Sequence, residues 1–341
     1  MRKPFNKEEI QTARDLIEMG LGRRVIAEAL GLSDWRARML LEEAKQSLNT
    51  SRPSAKVQVP RSKGESTYGK PEIKKSSSTL CETYKEAEEG EKLSVVVSDN
   101  DYKVAVLSDL HYPFEDKKAI ALVKAYLKDN PVDEVIFLGD VVDFYSVSSY
   151  LKDNRKASLQ EEIAYAVKRL QEWVEEFPSV EFRFLEGNHE TRLARLISKQ
   201  APELAGLGRL KVDSLLELED LGIDFIPTSQ DLEIGDMTFT HGTFSRKNAG
   251  SSVLGEFDKT GSSTIQGHCH RLALTYKRNK QGFFALVENG TLAKMNVEYV
   301  RMPNWCQGFT VINYKGQQAS PFLVPIINGR IITNSKTYEV K

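Results

Sequence analysis

The sequence predicts an α/β protein with two central sheets and helices outside them, preceded by a small all-α unit. Three observations carry this. Between residues 103 and 200, short β-branched and apolar runs (103–107, 134–138, 182–185) alternate with amphipathic helical patterns. Beyond Asp224 the pattern turns to strand pairs around turn signals, with Gly235-Asp236 the strongest. Ahead of both lies a capped, helix-patterned stretch over residues 5–48. At 341 residues, two domains are expected rather than one.

In the first stretch Asn6 caps a helix, Glu9 completes a capping box, and Phe5 and Ile10 are spaced as a hydrophobic staple. Ile10, Ala13, Leu16 and Ile17 form its apolar stripe, and Gly20 ends it. A second helix over 23–30 stops at Gly31. Ser33 then caps a third, with Ala37, Leu40, Leu41, Ala44 and Leu48 on its apolar side. Residues 25–33 (Val-Ile-Ala-Glu-Ala-Leu-Gly-Leu-Ser) resemble the core of a helix-turn-helix, as in site-specific recombinases and many regulators. That resemblance implies a third helix that reads nucleic acid through Trp35, Arg36 and Arg38, with Arg23 and Arg24 at phosphates. The alternatives are a solvated basic face and a protein-docking unit. The near balance of charge here predicts local rather than tight electrostatic contact.

Residues 49–94 read as a flexible linker between this helix-turn-helix domain (1–48) and a second domain (95–341). Serines and prolines replace apolar residues, so the stretch cannot bury enough surface to offset its ordering entropy. Its first half is basic and its end acidic.

In the second domain the pattern predicts a helix over 116–129. A longer one is capped by Ser158 and Glu161 and runs to Phe177, with Leu159, Ile163, Val167, Leu170 and Val174 on one side. A third covers 190–199. Strands 232–234 and 237–240 flank Gly235-Asp236, and 272–277 and 283–287 flank a second turn.

Five short stretches organise the domain: Asp109-Leu110-His111, Gly139-Asp140-Val141-Val142-Asp143, Gly187-Asn188-His189-Glu190, His241-Gly242 and Gly267-His268-Cys269-His270. The protein has five histidines, and all of them lie here. Four of the stretches follow strand-like runs, so loops at strand ends would carry them to one point. Residues two apart in an extended segment point the same way, which aims Asp109 with His111, and His268 with His270, at common ions. Cys269 would then face away. The set reads as a metal site of nitrogen and oxygen donors, which suits manganese first, or iron, zinc, magnesium or nickel.

In order and spacing these stretches resemble the calcineurin-like metallophosphoesterase family, whose pattern is D-x-H, G-D-x-x-D, G-N-H-[DE], H and G-H-x-H. The resemblance spans about 102–287. It implies the family's αββα sandwich. It also implies that Asp109, His111 and His270 hold one divalent ion, that Asn188, His241 and His268 hold the other, and that Asp140 bridges them. His189 would face the leaving group, donating a proton or stabilising charge, with Asp143 orienting it. Glu190 reads as a helix N-terminal charge. Arg192 and Arg271 read either as phosphate contacts or as surface ion pairs.

The implied reaction is hydrolysis of a phosphoester by a metal-bridging hydroxide. Protein phosphatases of this superfamily usually carry Arg-Gly after G-D-x-x-D. Phe144-Tyr145 stands there instead and is similar to phage and prophage members described as repair-exonuclease-like. The expected substrate is therefore nucleic acid, DNA in the first instance, or a nucleotide. One alternative is a phosphomonoesterase or cyclic-nucleotide phosphodiesterase on small substrates. Another is a nucleic-acid-binding regulator with an inert phosphoesterase domain, its helical unit docking a protein partner. The charge balance and pI near 6.6 argue against a wholesale polyanion binder. Cys81, Cys269 and Cys306, odd in number and scattered, argue against a disulfide framework. No apolar run approaches membrane-spanning length, so a cytoplasmic protein without membrane contact is expected.

Overall fold

The computed structural model describes residues 10–12, 40, 92–95, 101–148, 158–295 and 303–340. The chain divides into two units, Met1–Glu88 and Glu89–Lys341, and the fold that follows is that of the second. Arg23, Arg24, Trp35, Arg36 and Arg38, on which the helix-turn-helix reading rests, lie outside the described residues.

The unit opens with β1 (Lys92–Val95), which starts three residues inside the stretch expected to be linker. β2 (Asp101–Leu107) leads to α1 (Lys117–Asp129), β3 (Glu134–Leu138) to α2 (Leu159–Glu176), and β4 (Glu181–Leu185) to α3 (Thr191–Gln200). Two single-turn helices, α4 (Val212–Leu215) and α5 (Leu218–Leu221), bring the chain to β5 (Ile223–Ile226). Strands then dominate: β6 (Asp231–Ile234), β7 (Met237–Thr240), β8 (Ser263–Gln266), β9 (Leu272–Asn279), β10 (Gly282–Asn289), β11 (Gly308–Lys315) and β12 (Gln318–Pro325). α6 (Ser251–Thr260) precedes β8, and a small ladder of β13 (Arg330–Ile332) and β14 (Thr337–Glu339) closes the chain.

Two six-stranded sheets result, ordered β12-β11-β2-β3-β4-β5 and β1-β6-β7-β8-β10-β9. In the first, β2 to β5 are parallel, and the β11–β12 hairpin joins antiparallel on the free side of β2. In the second, β7, β8 and β10 are parallel, with β6 and β9 antiparallel at either side.

Alternation along the strands separates the layers. Val104, Val106, Ile136 and Leu138 pack between the sheets against Ile234, Phe239, Ile265 and Val287. Their neighbours Ala105, Leu107, Val135 and Phe137 point outward under α1 and α2, onto Leu122, Leu170 and Trp173. Strands buried on both faces explain why β2 and β3 read as continuous apolar runs. On the outer side of the second sheet, Val253 and Phe257 of α6 cover Leu286. The observed architecture is the expected αββα sandwich.

The predicted capping box of α2 is present in Ser158 and Glu161, while the caps expected at Asn6 and Ser33 lie outside the described residues. Asp116 accepts hydrogen bonds from the Lys118 and Ala119 backbone N–H groups at the start of α1. Phe144, which the sequence alone leaves open as a base-stacking or a core residue, is fully buried in the cluster with Trp173, Phe137 and Leu193. No helix among the described residues is long and apolar enough to cross a membrane.

Candidate metal centre

Every one of the five stretches sits just past the carboxyl end of a strand: Asp109 and His111 after β2, Asp140 and Asp143 after β3, Asn188 and His189 after β4, His241 after β7, His268 and His270 after β8. Because β2, β3 and β4 are parallel, their loops emerge at one edge of the first sheet. β7 and β8 do the same in the second, and the two edges meet.

The local backbone differs from the extended arrangement that the spacing suggested. Asp109, His111, Asp140, His268 and His270 all have φ between 50° and 63°. The left-handed region is costly for residues with a side chain, and such outliers persist only where surrounding structure holds them. The strands end before the ligands, and each turn doubles back with its side chain thrown inward. Glycine is required beside them. A Cβ on Gly139 would lie 2.5 Å from His241 Nδ1, and one on Gly187 would collide with the backbone and carboxylate of Asp140.

Two overlapping groups of donors result. Asp109, His111 and His270 bring one ligand atom each within 4.8 Å of one another, as do Asp140, His241 and His268. His270 Nε2 is 3.0 Å from Asp109 Oδ1 and 3.2 Å from His111 Nε2. His241 Nε2 is 3.2 Å from Asp140 Oδ2 and 3.1 Å from Asn188 Oδ1. Asp140 also groups with His111 and His189, which places it between the two sets. Cys269 belongs to none of these groups and is buried, with its thiol pushed by that burial up to about 12.

The residues fit divalent ions on three counts. His241 Nδ1 lies 2.8 Å from the Leu138 carbonyl and His111 Nδ1 lies 3.1 Å from Asp143 Oδ2, so both rings can spend their proton there and turn a bare Nε2 inward. His111 Nε2, His270 Nε2 and the buried Asp109 Oδ1 then crowd one point, with His270 Nε2 at 3.2 Å and 3.0 Å from the other two. Charge gives the third count. Burial works against protonating these rings, yet the carboxylates of Asp140 and Asp143 outweigh it and raise His241 to about 10 and His111 to about 8. Burial likewise pushes Asp140 upward, and the facing His241 and His189 reverse this to hold it well below the usual carboxylate range. The cavity demands positive charge, and cations answer the demand without protonated ligands.

His189 packs against the ligands, its ring 4.5 Å from that of His111, but both its nitrogens are engaged elsewhere. Its Nδ1 lies 3.0 Å from the Asp143 carbonyl oxygen, and its Nε2 lies 2.7 Å from an Arg192 guanidinium nitrogen. Burial, against the pull of Asp140, takes it down to about 3, so the ring is neutral. The Asp143 carboxylate lies 3.1 Å from His111 Nδ1 and 3.6 Å from His189 Nδ1, and its backbone carbonyl lies 3.0 Å from His189 Nδ1. Arg192 is neither exposed nor in a surface pair, because it donates to that same carbonyl at 2.8 Å. Arg271 is buried, reaching the Cys269 carbonyl and Asn304 Oδ1.

Sequence reasoning missed the role of Glu190. It is no exposed helix-end charge. Its fully buried carboxylate accepts from the backbone N–H groups of Asp140, Val141, Val142 and Gly187, tying the second and third ligand loops together. Burial and the nearby Asp140 push it up to about 7. Glu190→Gln would turn an NH2 group towards some of those donors. Each buried N–H so orphaned costs about 1–3 kcal/mol, and a Tm lower by about 5 °C or more is expected. Thermal unfolding followed by circular dichroism checks it, and an unchanged Tm would mean the loops hold without the clamp.

The calcineurin-like phosphoesterase family matches residues 102–282 of the chain. Two phage proteins resemble it along nearly their whole length. The Gene 54 protein of Mycobacterium phage L5 is 28% identical over 255 residues, covering 70% of this chain and 99% of that one. The Gene 54 protein of Mycobacterium phage D29 is 27% identical over 266 residues, with the same coverage. Among solved structures, vacuolar protein sorting 29 of Cryptosporidium parvum superposes with a TM-score of 0.39 at 13% identity, over 70% of this chain and 96% of that one.

Proposed function

The chain belongs to the calcineurin-like phosphoesterase family, and on that premise we propose that it hydrolyses phosphoester bonds of nucleic acid or nucleotides with two divalent metal ions. The observation that carries this reading is the convergence of Asp109, His111 and His270 beside Asp140, His241 and His268, with bare nitrogens and carboxylate oxygens turned to common points. Asn188 completes the second set through Oδ1. Family members use divalent metals, and manganese is the ion we assign to this oxygen- and nitrogen-rich site. Bound there, the pair would polarise phosphoryl oxygens and make a water molecule acidic enough to serve as nucleophile near neutral pH.

The chain's own residues supply the rest. Asp140 spans both sets and fixes their separation. Asp143 and the Leu138 carbonyl lock the tautomers of His111 and His241. At the edge of the cluster, His189 and Arg192 form a unit whose guanidinium brings positive charge to the side a leaving oxygen would occupy. With Nδ1–H donating to the Asp143 carbonyl and Nε2 accepting from Arg192, the ring has no proton left to give, and the role it supports is charge stabilisation through the Arg192 guanidinium it holds.

The substrate class rests on the sequence after Asp143, which departs from the protein-phosphatase pattern. Hydrolysis of bis(p-nitrophenyl) phosphate and p-nitrophenyl phosphate, each with manganese and with a chelator, tests the reading. Manganese-dependent turnover with the diester preferred is expected. Equal rates with and without the chelator would overturn the metal reading, and preference for the monoester would overturn nucleic acid as the substrate and leave the nucleotide.

A further inference from the structure

A pocket of about 570 Å³ opens beside the metal centre, lined by Leu272, Met295, Trp305, Gln307, Ile326 and Ile327 among others. It shares a wall with the ligands. Leu272 follows His270 by two residues, and the Trp305 indole meets the His270 ring edge to face at 4.5 Å. The wall is held from both sides. Asn304 accepts from Arg271 at 3.1 Å and donates to the Lys247 carbonyl at 2.9 Å, while the Cys306 backbone N–H donates to the His270 carbonyl at 2.8 Å. Trp305 lies between these anchors, so its indole is placed before any ligand arrives.

The chemistry of the lining selects an occupant. None of the described residues lining the pocket is charged, which disfavours a second phosphate. An indole, a thioether and branched aliphatic side chains suit a flat, uncharged ring. Amides give that ring a polar edge to meet. The Gln307 NH2 group is committed to Asp116 and the Ala293 carbonyl, which turns its oxygen elsewhere as an acceptor. Ile327, 61% exposed, stands at the rim although it is a large apolar side chain.

We propose that this pocket binds the base of the nucleotide whose phosphate is held at the metal centre, which makes Trp305 a stacking residue for substrate. The inference deepens the phosphoesterase reading and rests on it. Trp305 meets both His270 and the pocket, so a phosphate substituent on that side, the one that does not leave past His189 and Arg192, would reach the pocket.

Tryptophan fluorescence of the full chain with manganese, titrated with adenosine monophosphate and with ribose 5-phosphate, tests it. Quenching by the base-bearing compound with at least about fivefold tighter binding is expected, since stacking on one aromatic side chain contributes that much or more. Trp305→Leu should abolish the quench and the preference. Ile327→Asp, at an exposed position remote from the ligands, should weaken adenosine monophosphate binding while its metal content stays at the wild-type level. Equal affinity for the two compounds would overturn the proposal, as would unchanged affinity in Ile327→Asp. So would binding of p-nitrophenyl phosphate as tight as that of the nucleotide. The two readings separate cleanly. Base-selective binding without metal-dependent hydrolysis would remove the activity and leave the pocket, whereas hydrolysis indifferent to the base would do the reverse.

Discussion

Asp140→Asn is expected to lower turnover by about 10³-fold or more, because a bridging carboxylate contributes several kcal/mol through the charges it keeps in place. Asp140 is almost completely buried, sits between the two donor sets, and is held ionised by His241 and His189 against the effect of burial. An amide keeps the volume but removes the negative charge, and it turns an NH2 group towards the cations. Its other contact, accepting from the His189 backbone N–H at 2.8 Å, survives if the amide oxygen takes that place. The fold should therefore hold while occupancy of both metal sites falls. Metal analysis of the purified variant beside its rate on a diester checks both halves. Full occupancy with normal turnover would remove Asp140 from the bridge.

His189→Ala is expected to lower turnover by about 10²–10³-fold, the usual effect of removing one group that stabilises developing charge. Both metals should stay. The ring makes its hydrogen bonds to the Asp143 carbonyl and to Arg192, leaving every proposed ligand atom in place when it is removed. Arg192 keeps its own bond to the Asp143 carbonyl, so the guanidinium persists with one support fewer. The readout is the split between metal content and kcat. Loss of one ion in this variant would make His189 a ligand, in line with its proximity to His111 and Asp140.

Much of this site was legible from five histidines in a chain of 341 residues, all within three residues of a glycine, aspartate or asparagine. Strand ends are where an α/β fold gathers loops, so the pattern predicted convergence as well as chemistry. Legibility stopped where tertiary placement decides. Glu190 looks like any acidic residue at a helix start. Only the approach of three backbone N–H groups from another loop, together with that of Gly187, makes it a clamp. Period-2 reasoning gave the right partner for Asp109 with the wrong backbone, and it failed for His268 and His270, whose left-handed backbone sends them to different donor groups. Phe144 reads equally as a stacking surface or as core until its burial is known. The β11–β12 hairpin carries no metal ligand, and its pairing to β2 spans some two hundred residues of sequence, beyond the reach of local pattern. Trp305 was silent for the same reason: nothing near it in sequence announces His270.

The central claim is that one cavity holds two divalent ions in separate ligand sets. Manganese stoichiometry, measured on dialysed wild-type protein and on His270→Ala and His241→Ala, tests it most directly. Wild type should bind two ions per chain, and each variant should keep one: His270→Ala the ion held by Asn188, His241 and His268, and His241→Ala the ion held by Asp109, His111 and His270. A wild-type stoichiometry of one, or variants that still bind two, would contradict the account.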